Sequence, residues 1–187
     1  MNLVHVIRHG KPAATWGGDD EDPGLDPLGI EQAEAVAQEI LALPRRPVRV
    51  VSSPLRRCRE TAEPLARALG LELVIDPRVG EIPTPAALSQ AERPAWLRQA
   101  FAGRWDQIQG DLDYVGWTQA VAAALREHAG AAVFSHFVAL NAAVGVATGQ
   151  AEVMAFRPDH CSRTVFEIKD DRLILVEKGR EASSQVL

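Results

Sequence analysis

Three short apolar runs, at residues 3–7, 48–51 and 131–134, each end at a basic or hydroxyl side chain and give way to helical spacing. Alternation of this kind predicts an α/β domain, a mostly parallel sheet with helices on both faces. The first run stops at Arg8-His9-Gly10, and a Gly/Asp/Pro-rich loop follows over 11–26. Asp26-Pro27 then reads as an N-cap with proline in the first helical turn. Ile30, Ala33, Ala37, Ile40 and Leu41 form the stripe of that helix, which Pro44 stops. Ser53-Pro54 repeats the cap signal ahead of Leu55, Cys58, Ala62, Leu65, Ala66 and Leu69, with Gly70 as the C-terminal cap. Residues 71–75 read as a third strand and 138–147 as a small-residue helix. Residues 163–168 and 172–177 read as a terminal hairpin across Lys169-Asp170-Asp171. The stretch 85–128 reads as a helical excursion broken at Pro94, Gly103, Gly110 and Gly116, and the tail after Gly179 as frayed.

A chain of 187 residues fits one domain. With 47% hydrophobic and 24% charged residues it has enough apolar side chains for a core, which excludes wholesale disorder. Its apolar stretches fall far short of the roughly 20 residues a spanning helix needs, so no membrane association is expected. Residues 4–7 are too short for a signal segment. Two cysteines, Cys58 and Cys161, give no disulfide framework, and a reducing, cytoplasmic setting is expected. The net charge of −5 argues against nucleic acid as a partner. An anion site must therefore gather its cations locally.

Such a gathering is visible. Arg8-His9 follows the first strand, Arg57 lies early in the helix after the second, and His136 follows the fourth. The carboxyl ends of parallel strands share one crevice, and helix N-termini there favour anions. Two arginines, whose planar forks match phosphate oxygens, and two histidines at such a crevice describe a phosphate pocket. Other polar residues read as structural. His5 is expected to be a satisfied core histidine, Cys58 a core residue, and Trp96, Trp105 and Trp117 packing residues. Asp19-Asp20-Glu21-Asp22 lacks calcium-loop spacing, Cys161 beside His160 lacks zinc partners, and Arg56, Arg57 and Arg59 lack an aromatic platform for nucleic acid. No metal and no cofactor are expected.

The segment Leu3-Val4-His5-Val6-Ile7-Arg8-His9-Gly10 resembles the signature of the histidine phosphatase superfamily, the phosphoglycerate mutase-like family. Three further elements follow in the family's order. Leu25-Asp26-Pro27-Leu28-Gly29-Ile30-Glu31-Gln32-Ala33 is similar to its Leu-Thr-x-x-Gly-x-x-Gln-Ala helix start. Ser53-Pro54-Leu55-Arg56-Arg57-Cys58-Arg59-Glu60-Thr61-Ala62 is similar to Ser-x-Leu-x-Arg-Ala-x-x-Thr-Ala, with Cys58 in place of Ala. Val133-Phe134-Ser135-His136 is similar to the strand ending in the second histidine. The resemblance implies a three-layer α/β/α fold. It makes His9 the nucleophile of a phosphohistidine mechanism, with Arg8, Arg57 and His136 binding the phosphoryl oxygens. It makes Glu81 the general acid, where many members carry leucine-x-glutamate.

Two departures bear on substrate choice. Lys11 and Pro12 stand where many members have Glu-Thr, and Thr15 stands at the position of a phosphate-binding Asn. Phe137-Val138 replaces Gly-Gly, which is expected to narrow the leaving-group side of the pocket. The implied activity is metal-independent hydrolysis of a small phosphorylated metabolite. A phosphoglycerate mutase-type transferase and a non-catalytic phosphoryl-binding module are the alternatives.

Overall fold

The computed structural model describes residues 2–14 and 20–183. Six strands form one sheet in the order β3-β2-β4-β1-β5-β6. Strands β1 (Leu3–Arg8), β2 (Arg49–Ser52), β3 (Leu73–Ile75) and β4 (Ala131–Ser135) run parallel where they pair, whereas β5 (Arg163–Lys169) and β6 (Arg172–Glu177) are antiparallel additions at the β1 side. The β5–β6 turn sets Asp170 and Asp171 at φ 51° and 56°. Asp tolerates that left-handed conformation, and two such residues suit the twist of a tight hairpin.

Alternation along β1 divides the core. Val4 and Val6 pack on the face covered by α4 (Tyr114–Glu127) and α5 (Phe137–Thr148), through Val121, Leu125, Leu140 and Val144. Ile7 packs on the opposite face under α1 (Pro27–Leu41) and α2 (Arg56–Leu69), through Val36, Ile40, Cys58 and Leu65. The result is the expected α/β/α sandwich. Within the stretch 85–128, α4 belongs to this sandwich. The remainder, with α3 (Arg93–Phe101) and a 3-10 turn at Trp105–Gln107, packs around Trp96, Leu97, Trp105 and Tyr114.

The expected cap at α1 is present: Asp26 Oδ1 accepts from Gly29 N at 2.7 Å, with Pro27 in the first turn. The cap expected at Ser53-Pro54 is not. Helix α2 begins at Arg56 after Leu55, which supplies no side-chain cap. The Ser53 hydroxyl is drawn instead to the His136 ring at 2.8 Å. The third strand is shorter than expected, starting at Leu73. The described part of the tail, residues 180–183, also differs from expectation, because Arg180 O accepts from Asp159 N and Ala182 N donates to Arg157 O, each at 2.9 Å, whereas 184–187 lie outside the described residues. His5 is buried and its Nδ1 meets Arg163 Nη1 at 3.1 Å, as a satisfied core histidine should. Asp22 Oδ1 accepts from Arg56 N at 2.8 Å, which ties the acidic loop to the start of α2.

One buried polar pair props the segment that leads to Glu81. Asp76 caps the 3-10 turn at Pro77–Val79 through Arg78 N, and His128 Nε2 meets Asp76 Oδ2 at 2.8 Å. Burial opposes ionisation of Asp76, but hydrogen bonds from Arg78 and His128 outweigh it and hold the carboxyl well below its ordinary 3.8. Its stabilising contribution is therefore present above that ordinary value and lost as acid takes the pH below it. Replacing Asp76 by Ala should cost about 1–3 kcal/mol at pH 7, since it strands a buried donor. The cost should shrink toward pH 2, measured as urea midpoints across pH.

Candidate active site

Parallel pairing of Arg8 with Ser135, and of Ser52 with Phe134, ends β1, β2 and β4 at one level. Backbone bonds continue past the strands: His9 N donates to Ser135 O at 2.9 Å and Ser53 N to Phe134 O at 3.0 Å. His9 and His136, 127 positions apart by number (136 − 9), thereby come within 5.3 Å between ring centroids. Arg57, on the first turn of α2, reaches both rings. Its Nε lies 3.3 Å from His9 Nε2 and its Nη2 lies 3.3 Å from His136 Nδ1. Glu81 Oε2 lies 3.5 Å from Arg57 Nη2 and 3.5 Å from His136 Nδ1. Arg8 is buried beside them. Its Nη1 donates to Pro158 O at 2.9 Å, while its Nε has no partner among the described residues. The five residues singled out as catalytic thus converge; Thr15 lies outside the described residues.

The His9 ring is held in one tautomer. Nδ1 lies 2.8 Å from Gly10 O, an acceptor only, so Nδ1 carries the proton and Nε2 keeps its lone pair. Burial, with the charges of His136, Arg8 and Arg57, keeps His9 well below its ordinary 6.5, so the ring is neutral at pH 7. His136 is held low in the same way by burial and by Arg57, Arg8 and Arg93. Arg8 is pushed down to about 10, by burial first, and stays cationic at neutral pH.

The motif residues around the site have structural work of their own. Gly10 N donates to Thr61 Oγ1 at 2.9 Å, and Thr61 Oγ1 donates to Arg57 O at 2.6 Å, joining the loop that carries His9 to α2. Lys11 N donates to Gln32 Oε1 at 2.9 Å. A Cβ at Gly10 would sit 2.8 Å from Gly29 O, and one at Gly29 would strike the Lys11 carbonyl. Both glycines are needed for that close approach. The Lys11 side chain is paired with Asp26 at 2.8 Å.

Three neighbours escaped the sequence reading. His160 stands 5.9 Å from His9 between ring centroids, and burial with Arg8 pushes it down to about 4. Arg93, from α3, donates to Ile82 O at 3.3 Å and its charge is felt by Glu81 and His136. Ser53 meets His136 Nε2. No motif marks the first two, whose approach is purely tertiary. Phe137 was expected at the leaving-group side. Its ring lies 5.3 Å from the Arg8 guanidinium carbon and packs against Phe101, tying the helical excursion to the site. Among the described residues, no group of three His, Cys, Asp or Glu side chains is arranged to hold a metal, and no helix is long and apolar enough to cross a membrane.

A family model for the histidine phosphatase superfamily (branch 1) matches residues 4–180. The chain belongs to the histidine phosphatase superfamily. Curated relatives include the transcription factor tau 55 kDa subunit of Saccharomyces cerevisiae, 30% identical over 46% of this chain and 24% of its own length. The probable phosphoglycerate mutase GpmB of Yersinia pestis is 37% identical over 44% of this chain and 39% of its own. The matched part therefore spans well under half of either relative. Among solved structures, phosphoserine phosphatase from Entamoeba histolytica superposes with TM-score 0.76 at 21% identity, covering 98% of each chain. A mycobacterial glucosyl-3-phosphoglycerate phosphatase gives 0.74 at 21%, covering 97% of this chain and all of that one. These two likenesses establish the fold.

The donor set of this superfamily member should bind inorganic phosphate. At about 100 times its Kd, phosphate should stabilise the protein by about 2.7 kcal/mol in thermal unfolding at pH 7. Arg57→Ala should remove most of that gain. Without phosphate, stability should fall as pH drops below 6.5. Both buried rings have depressed values, so their contribution is present above the ordinary value and lost as they protonate.

Proposed function

We propose that the protein is a metal-independent phosphomonoester hydrolase working through a phosphohistidine on His9. The observation that carries this reading is the Arg57 guanidinium, within 3.5 Å of His9 Nε2, His136 Nδ1 and Glu81 Oε2 at once. A phosphoryl group beside it meets a lone pair, cationic donors and a carboxyl group together. Positioning and charge neutralisation of this kind supply most of the catalysis in phosphoryl transfer.

In the first step the Nε2 lone pair of His9 attacks phosphorus in line. The N–P bond forms, the ester P–O bond breaks, and its electron pair leaves on the alcohol oxygen. Glu81 supplies the proton for that oxygen. In the second step water attacks phosphorus and gives its proton to the Glu81 carboxylate. The P–N pair then returns to Nε2. Arg8, Arg57 and His136 hold the equatorial oxygens throughout, and Gly10 O keeps the proton on the far nitrogen of the nucleophile.

The substrate class proposed is a small phosphorylated metabolite. The names of the two structural neighbours make phosphoserine and phosphoglycerate derivatives the first compounds to try. Arg93 beside the Glu81 segment supports an alcohol that carries an anionic group. Phosphate release from such a panel, without any acceptor, tests the reading against a mutase-type transferase, which returns the phosphoryl group to an acid. A chain that binds phosphate but turns over nothing would instead be a recognition module.

His9→Ala should abolish release, with losses of at least 10⁴-fold, because no other nucleophile replaces it. Glu81→Gln should slow alkyl phosphates by about 10²–10⁴-fold and aryl phosphates much less, since good leaving groups need little protonation. Equal losses on both classes would remove Glu81 from the acid role.

A further inference from the structure

Strand β4 reads Ala131-Ala132-Val133-Phe134-Ser135, and alternation sets Ala131, Val133 and Ser135 on the face covered by α4 and α5. The last of these inward positions carries a hydroxyl where the row is otherwise apolar, and it is buried. A buried hydroxyl needs a partner. Ser135 Oγ finds one 56 positions away, donating to Val79 O at 2.7 Å. Val79 closes the 3-10 turn after β3, and its side chain is buried in the same core as Val133. From that carbonyl the chain passes through Gly80, extended at φ −75° and ψ −175°, to Glu81. Ile82 then enters the core around Trp96 and Leu97. Glu81 Oε1 turns back to accept from Ile82 N at 3.0 Å, which leaves Oε2 facing Arg57 Nη2 and His136 Nδ1, each at 3.5 Å.

We infer that Ser135 is a positioning residue whose hydroxyl anchors the Val79–Glu81 arm to the end of β4 and so sets the Glu81 carboxyl at a fixed distance from His9 and His136. The direction of the bond is not in question, since a backbone carbonyl only accepts. The same residue also meets the nucleophile: Ser135 O accepts from His9 N at 2.9 Å, and Ser135 pairs with Arg8 across β1 and β4. The next residue in the chain is His136. Nucleophile, phosphoryl donors and acid thus take their spacing from one strand end. An in-line displacement puts the attacking nitrogen and the departing oxygen on opposite sides of phosphorus, so the separation of His9 from Glu81 must be held closely. The start of the turn is held by Asp76, through Ser52 O at 3.0 Å and through His128. The Ser135 hydroxyl holds its other end, two residues before the acid. Gly80 leaves that arm little slack, because a Cβ there would lie 2.8 Å from Pro77 O. A hydroxyl kept only to satisfy the core would, when lost, lower stability and slow every substrate alike.

This role rests on the acid function proposed for Glu81 only for its kinetic signature, so position and kinetics are read separately. In a crystal structure of Ser135→Ala, Glu81 Oε2 should withdraw from His136 Nδ1 by about 1 Å, the scale of misplacement at which rate is lost. The variant should lower kcat on alkyl phosphates about tenfold and on aryl phosphates less than about twofold, since good leaving groups need little protonation. KM and the affinity for inorganic phosphate should stay within about twofold of the wild type, because the groups that bind the phosphoryl oxygens are untouched. In a Glu81→Gln background the same change should cost nothing further on alkyl phosphates, as the group it positions is already lost. Gly80→Ala presses on Pro77 O and moves the same arm by another route, so it should show the same dependence on leaving group. A Ser135→Ala structure with Glu81 unmoved would overturn the inference. So would a Ser135→Ala loss that multiplies in full onto that of Glu81→Gln. A displaced Glu81 with equal losses on alkyl and aryl phosphates, in Ser135→Ala and Glu81→Gln alike, would end the acid reading and leave the Ser135 role standing.

Discussion

The parallel pairing of β1 with β4, Val6 beside Val133 and Arg8 beside Ser135, ends both strands at the same height and continues one bond further from His9 N to Ser135 O. A slip of one residue would turn Arg8 from the crevice into the core and send Ile7 to the other face of the sheet. The sandwich resists that slip because Val4 and Val6 are buried under α4 and α5 while Ile7 is buried under α1 and α2. Hydrophobic registration therefore sets the spacing of the two imidazoles.

Around that register, hydrogen bonds decide what each ring can do. Gly10 O fixes the proton of His9 on Nδ1, and Thr61, Gln32 and the Gly10–Gly29 approach hold the loop that carries Gly10. The pattern residues of α1 and α2 are thus second supports for one lone pair. Low dielectric serves the same end: burial and neighbouring cations keep His9 and His136 uncharged, so the Nε2 lone pair of His9 stays unprotonated.

How much of this was legible from the sequence follows from where each residue sits. His9, Arg8, Arg57 and His136 stand at strand ends and at a helix start, where periodicity stops abruptly, and ordered motifs reinforce each of them. Glu81, past β3 and a 3-10 turn, was marked by the family resemblance alone. Ser53 was misread because a serine before a proline carries the same letters whether it caps a helix or turns toward a histidine 83 positions away. His160 and Arg93 approach the site from a loop before β5 and from α3, and no local pattern distinguishes them from surface residues. Asp76 with His128 was also invisible, a pair made only by folding the 3-10 turn after β3 against the end of α4.

The central claim is that His9 accepts the phosphoryl group before water does, and stereochemistry at phosphorus addresses it most directly. Hydrolysis of a phosphorothioate monoester made chiral through oxygen isotopes reports the number of in-line displacements. Two displacements, on His9 and then on water, give overall retention of configuration, which is the result predicted here. Inversion would mean that water attacks the substrate directly, and His9 would lose its place as the nucleophile.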